Sequence, residues 1–89
     1  MVKTKIILKG MVQGVGFRHY CFKMATALGL LGYAKNLYNG DVELEVEGDD
    51  GPVNEFVNLV KIGPEHSRVT SISVESEKYE NLYTSFSIY

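Results

Sequence analysis

The period of the apolar residues switches repeatedly along this chain, and the order of those switches restricts its fold more than any other feature. From Val2 to Lys9 the residues alternate, with Val2, Thr4, Ile6 and Leu8 against Lys3, Lys5, Ile7 and Lys9. That is the period-two pattern of a half-buried strand. Residues 18–30 change to helical spacing, with Cys21, Met24, Ala25 and Leu28 on one stripe and Phe17 leading in. Gly29 and Gly32 mark the end of that helix. Residues 32–38 form a second predicted strand. Asn39-Gly40 predicts a type I′ hairpin, whose two central residues both take positive φ. The third strand, 41–47, points Val42, Leu44 and Val46 inward and Asp41, Glu43, Glu45 and Glu47 outward. Asp49-Asp50-Gly51-Pro52 opens a second helix, with acids and proline in first-turn positions. Its stripe is Val53, Phe56, Val57 and Val60, and Gly63-Pro64 stops it. Val69 to Val74 is a fourth strand, and Thr84 to Tyr89 a short edge strand.

The order is β-α-β-β-α-β, the ferredoxin-like split pattern. The expected fold is therefore an α+β sandwich: an antiparallel sheet covered by two helices on one face, with a short C-terminal edge strand. In that topology the first and third strands are neighbours. Lys3, Lys5 and Lys9 then face Glu43, Glu45 and Glu47 on the open side of the sheet, in exposed pairs that stabilise only slightly. The acidic run from Asp41 to Asp50 reads as a solvated strand face and a helix start. A chain of 89 residues is expected to be a single domain, residues 1–89, with room for a modest core.

Composition excludes several classes. An apolar fraction of 45% argues against disorder, and no apolar run reaches membrane-spanning length. No signal peptide precedes the first strand, so a cytoplasmic location is the default expectation. The single cysteine, Cys21, has no partner for an intramolecular disulfide, which suits a reducing compartment. It lies on the apolar stripe and reads as core rather than nucleophile, as does Met24. No Cys, His or carboxylate cluster has metal-ligand spacing, and no cofactor is implied. The charge is lopsided: residues 1–40 carry six Lys and Arg and no acid, whereas residues 41–89 carry three bases and eleven acids.

The acid-free half contains Gly10-Met11-Val12-Gln13-Gly14-Val15-Gly16-Phe17-Arg18. Three glycines lie between an apolar strand and an apolar helix, and an arginine closes the segment. Such a loop lets successive N–H groups converge on one point. The helix behind it adds unpaired donors and a favourable dipole, and arginine adds a planar fork matched to phosphate oxygens. It is neither a Walker A loop, since no Lys-Ser or Lys-Thr follows, nor a dinucleotide fingerprint. On spacing alone, a tight turn that needs glycine for backbone reasons explains it equally well.

Three further residues invite attention. Arg18 is the only arginine in the first half, at a helix start where a cation is mildly disfavoured. Asn36 lies mid-strand, where asparagine is disfavoured, on the face shared by the small residues Gly32 and Ala34. His19 follows Arg18, so the two side chains diverge by about 100° on a helix, and it reads as solvent-facing or partly packed. The run Gly14 to Tyr20 partly imitates an RNA-binding sequence of RRM domains, which share this fold. It straddles a loop and a helix instead of the third strand, whose outer face is acidic and repels a nucleic-acid backbone.

Over nearly its full length the chain resembles the acylphosphatases. The family motif Gly-x-Val-Gln-Gly-Val-x-Phe-Arg stands here as Gly10 to Arg18. A second motif, Gly-aromatic-small-x-Asn followed by Asn/Asp-Gly, stands as Gly32, Tyr33, Ala34, Asn36, Asn39 and Gly40. Gly63-Pro64, Ser67-Arg68-Val69 and the ending Phe86-Ser87-Ile88-Tyr89 are also similar to the family. Met11 replaces a frequent Arg or His, and Tyr33 a frequent Trp. The resemblance implies hydrolysis of a carboxyl-phosphate anhydride to carboxylate and inorganic phosphate, without metal. It implies that the loop amides of Gln13, Gly14, Val15, Gly16, Phe17 and Arg18 bind the phosphate, that Arg18 anchors its oxygens, and that Asn36 holds the attacking water. The expected partners are small acyl phosphates and inorganic phosphate, with no nucleic acid and no membrane, for a monomer. The competing classes are a non-catalytic module on the same fold and a domain detached from a larger carbamoyl-transfer enzyme. Intact Arg18 and Asn36 speak against the first, and the hairpin and final strand, complete for a free-standing protein, against the second.

Overall fold

A computed structural model describes all of residues 1–89. Its elements are β1 (Val2–Met11), α1 (Phe17–Ala27), β2 (Leu31–Asn36), β3 (Val42–Gly48), α2 (Asp50–Ile62), β4 (Arg68–Glu77) and β5 (Phe86–Ile88). The sheet order is β4-β1-β3-β2-β5. Each neighbouring pair among the four long strands is antiparallel, as the split pattern predicts. β5 joins the edge of β2 in parallel, Gly32 against Phe86 and Ala34 against Ile88, so the complete sheet is mixed.

Both helices lie on one face because their stripes require it. α1 buries Phe17, Cys21 and Ala25 at four-residue intervals, and α2 buries Val53, Phe56 and Val60. These meet Ile6, Leu8, Ala34, Val42, Leu44 and Val46 from the sheet in one core of fifteen residues. Burial raises the Cys21 thiol well above its ordinary value, consistent with a packing role.

The hairpin between β2 and β3 forms where expected, but not as a type I′ turn. Only Gly40 takes positive φ (96°). The Gly40 N–H donates to the Leu37 carbonyl, and the Asn39 side chain accepts the Asp41 N–H. One residue in the left-handed region is enough for this longer loop, and Asn39 uses its side chain instead of its backbone freedom.

The outer face departs further from expectation. Lys5 does pair with Glu43 (3.3 Å) and Lys9 with Asp41 (2.6 Å). Lys3 instead reaches Glu80 (2.5 Å), and that bond raises its ammonium pKa. Glu45 and Glu47 are buried, not solvated. The segment after β4 runs across them. Glu47 accepts the N–H groups of Glu80 and Leu82 at 3.1 and 2.8 Å, and Glu45 accepts the Tyr83 hydroxyl. A carboxylate tolerates burial when backbone donors replace its water. The acidic strand thus holds down the connection to β5.

Candidate active site

The loop between β1 and α1 is pinned at both ends. Val12 and Phe17 are almost fully buried, and Val15 packs against the core. Between these anchors Gly14 and Gly16 stand exposed with φ of 73° and 77°, and neither has a heavy atom within 4 Å of where a Cβ would lie. Their glycine identity is therefore conformational, and the space beside them is open. Gly16 caps α1 with no side-chain hydrogen bond, and no acidic residue occupies the first turn. The first bonded amide is that of Tyr20, to the Gly16 carbonyl at 3.0 Å. The N–H groups of Phe17, Arg18 and His19 have no intrahelical acceptor and form the positive pole of the helix.

These donors open into a cleft of about 180 Å³ lined by Val12, Gly14, Gly16, Phe17, Arg18, His19, Asn36 and Ile88. Arg18 leans across it to donate from Nη1 to the Tyr89 carbonyl at 2.8 Å. A guanidinium has five N–H donors, so the bond fixes the fork while leaving most of it for an anion. Asn36 enters from the end of β2. Its Oδ1 is buried and has no hydrogen-bond partner. A buried acceptor without a donor is costly unless something in the site supplies one. The fold therefore brings together Arg18, Asn36, Gly14, Gly16 and Phe17, drawn from two motifs far apart in sequence.

The side chains of Gln13 and Val15 contribute otherwise than by lining the cleft. Val15 is a packing anchor. The Gln13 side chain turns away, and its Nε2 donates to the carbonyls of Leu37 (2.8 Å) and Asp41 (2.9 Å). It ties the glycine loop to the hairpin that immediately follows Asn36. Three lining residues were not anticipated there: Val12, His19 and Ile88. His19 is exposed, as expected, but stands at the cleft mouth stacked on Phe22, with ring centroids 6.3 Å apart. The cleft wraps the helix start, so side chains diverging by 100° both reach it.

A wider depression of about 390 Å³ lies on the outer face, lined by Tyr33, Lys35, Glu43, Tyr83 and Tyr89. Its polar groups are engaged with protein: the Tyr33 hydroxyl donates to Glu43 at 2.7 Å, and Tyr83 to Glu45. Burial, then these carboxylates, push both phenols above their ordinary range. Glu43 is affected most by burial, which raises its pKa, yet hydrogen bonds from Tyr33 and Lys5 outweigh this and leave it below the usual carboxylate value. The smaller cleft is the one that gathers the glycine loop, the start of α1 and the unpartnered Asn36 Oδ1.

Known proteins decide what this arrangement belongs to. The family model for acylphosphatases matches residues 4–88. The chain belongs to the acylphosphatase family. It is 46% identical to the acylphosphatase of Caldivirga maquilingensis, over 98% of this chain and 93% of that one. The crystal structure of acylphosphatase from Bacillus subtilis superposes with a TM-score of 0.97 at 39% identity, covering 100% and 99% of the two chains. An acylphosphatase structure from Coxiella burnetii gives 0.93 at 32% identity, covering 99% and 92%. The ferredoxin-like α+β fold expected from the periodicity is the fold these acylphosphatases share, and the chain is a hydrolase of that family.

Proposed function

We propose that this acylphosphatase hydrolyses the carboxyl-phosphate bond of small acyl phosphates, with Arg18 and the amides of residues 13–18 holding the phosphoryl group and Asn36 orienting the attacking water. The observation that carries this assignment is the unpartnered, buried Asn36 Oδ1 in the same cleft as the glycine loop and Arg18.

The chemistry asks for little else. Phosphoryl transfer is largely positioning and charge stabilisation, with the attacking and leaving oxygens roughly in line. Loop amides, the helix pole and Arg18 stabilise the equatorial oxygens. One O–H of the water donates a hydrogen bond to Asn36 Oδ1, which aims the water's lone pair at phosphorus. A neutral amide is no base, so the water's other proton passes to a phosphoryl oxygen of the substrate. The leaving group is a carboxylate whose conjugate acid has a pKa near 4, so it departs without a general acid. In this mechanism the protein's fixed positive charge does the work a divalent cation does elsewhere. No group of three His, Cys, Asp or Glu side chains is disposed to hold such an ion.

The protein is proposed to act in the cytoplasm as a monomer on small molecules. A buried free thiol at Cys21 suits a reducing compartment, and no helix is long and apolar enough to cross a membrane. The test is benzoyl phosphate hydrolysis followed by absorbance, with and without EDTA, for wild type, Arg18→Ala and Asn36→Ala. Wild type is expected to be active and indifferent to EDTA, with each variant slowed about a hundredfold or more, the cost of losing a positioned oxyanion donor. An inactive wild type would refute the activity. Loss with EDTA would refute the metal-independent mechanism, and full activity in Asn36→Ala the role of that side chain.

A further inference from the structure

We infer that the seam between α1 and β5 is an acyl-binding groove that extends the phosphate cleft and favours substrates with an extended apolar acyl chain. The inference rests on the acylphosphatase assignment and adds the substrate class.

The cleft lining mixes the glycine backbone, Arg18 and Asn36 with His19 and the apolar side chain of Ile88. His19 stacks on Phe22 at 6.3 Å with an interplanar angle of 18°, and Phe22 in turn packs on Phe86 at 6.3 Å. Ile88 and Phe86 are two apart on β5 and share a face, the one turned toward α1. Beyond Phe22 lies a second cavity of about 270 Å³, lined by Phe22, Thr26, Leu30, Leu31 and Phe86 among others. His19, Phe22 and Thr26 follow helical i, i+3, i+7 spacing, so they share one helix face over about 10 Å from the phosphate cleft. Phe22 and Ile88 are large apolar side chains left 37% and 41% exposed along it, the kind of surface an apolar ligand covers.

In-line geometry selects this seam for the acyl group. The attacking water and the leaving carboxylate take opposite sides of phosphorus. Asn36 stands on the sheet wall, so the leaving oxygen exits on the helix wall, past His19 and onto Phe22. The bonds made and broken are those of ordinary hydrolysis: water oxygen joins phosphorus, the phosphorus–acyl oxygen bond breaks, and the carboxylate departs along the groove.

The experiment is a series of kcat/KM values for acetyl, butanoyl, hexanoyl and octanoyl phosphate, each below its aggregation limit. A groove that covers about half of each methylene gives roughly twofold per methylene, hence tenfold or more from acetyl to hexanoyl phosphate. In Phe22→Ser the hexanoyl-to-acetyl ratio falls several-fold. In Thr26→Trp, a change at an exposed helix position that blocks the far end, the octanoyl-to-butanoyl ratio falls instead. Circular dichroism checks that both variants fold. A wild-type hexanoyl-to-acetyl ratio near one, or ratios unmoved in both variants, overturns the groove while leaving the enzyme an acylphosphatase. Failure of the wild type to cleave even acetyl phosphate overturns the activity on which it rests.

Discussion

Replacing Gln13 with alanine tests whether the glycine loop and Asn36 are held in register by a single side chain. Gln13 donates two hydrogen bonds, to the carbonyls of Leu37 and Asp41. Each net bond contributes about 1 kcal/mol. The abandoned carbonyls are not left bare, because Leu37 still accepts the Gly40 N–H and Asp41 still accepts the Leu37 N–H. The loss therefore stays near the simple sum, about 2 kcal/mol, without a full desolvation penalty. For a domain of this size that is a fall in Tm of roughly 8–16 °C. Gln13→Glu replaces the donor by a carboxylate facing two carbonyl oxygens and is expected to cost more. Activity should fall further than stability implies. At a temperature where both proteins are folded, kcat for benzoyl phosphate drops at least tenfold, since small misplacements of reacting groups are costly. Thermal unfolding by circular dichroism and steady-state kinetics on the same samples provide the two readouts. A Tm within 2 °C of wild type together with kcat within twofold would show that the loop holds its register without Gln13.

Other outcomes follow from the same geometry. Gly32→Ala should fail to fold or lose several kcal/mol, because φ is +153° and an added Cβ overlaps the Glu45 carbonyl; soluble protein with wild-type Tm would contradict this. Gly14→Ala meets no atom and strains only the backbone, so its loss should be about 1–2 kcal/mol, read from the urea midpoint. Alkali should loosen the outer face. Tyr33, Tyr83, Lys3 and Lys5 all titrate above their ordinary values, so the folded state keeps protons that the unfolded chain releases near pH 10. Their stabilisation is full below that pH and declines as pH rises beyond it. A urea midpoint equal at pH 8 and pH 10.5, or a decline undiminished in a Tyr33→Phe/Tyr83→Phe double variant, would exclude the phenols as its source.

The elements of the fold were legible because each announces itself locally. Alternation marks β1 and β3, four-residue intervals mark the helices, and Asn39-Gly40 and Gly63-Pro64 mark the stops. Asn36 drew notice as a residue set against a mid-strand preference, but β2 ends at Asn36, not at residue 38, so it stands at the strand end beside the hairpin. Residues 78–85 carry no period, so their course over the acidic strand was invisible. Glu47 is held by backbone amides from that segment, which leave no trace in a sequence, and Glu45 by the Tyr83 hydroxyl, 38 positions away. The same holds for Gln13, whose partners are main-chain carbonyls 24 and 28 positions away. His19 went unread at the cleft because helical divergence from Arg18 suggested separation, whereas the cleft bends around the helix start. The parallel sense of β5 depends on how the connection crosses the sheet, which three residues do not encode.

β5 gives the enzyme two thresholds instead of one. It is three residues long, pairs with a single neighbour, and supplies Ile88 to the cleft, while Tyr89 immediately after it steadies Arg18. A short edge strand opens locally at a lower free energy than the whole domain. Detaching it would withdraw Phe86 from its packing on Phe56 and release the guanidinium from its carbonyl, while β1, β3 and both helices keep their mutual contacts. Catalytic competence should then have its own melting curve, displaced to lower temperature and lower denaturant than the loss of secondary structure. The amide of Tyr89, which bonds to Ala34 at 2.8 Å, should exchange its hydrogen on the faster of the two schedules.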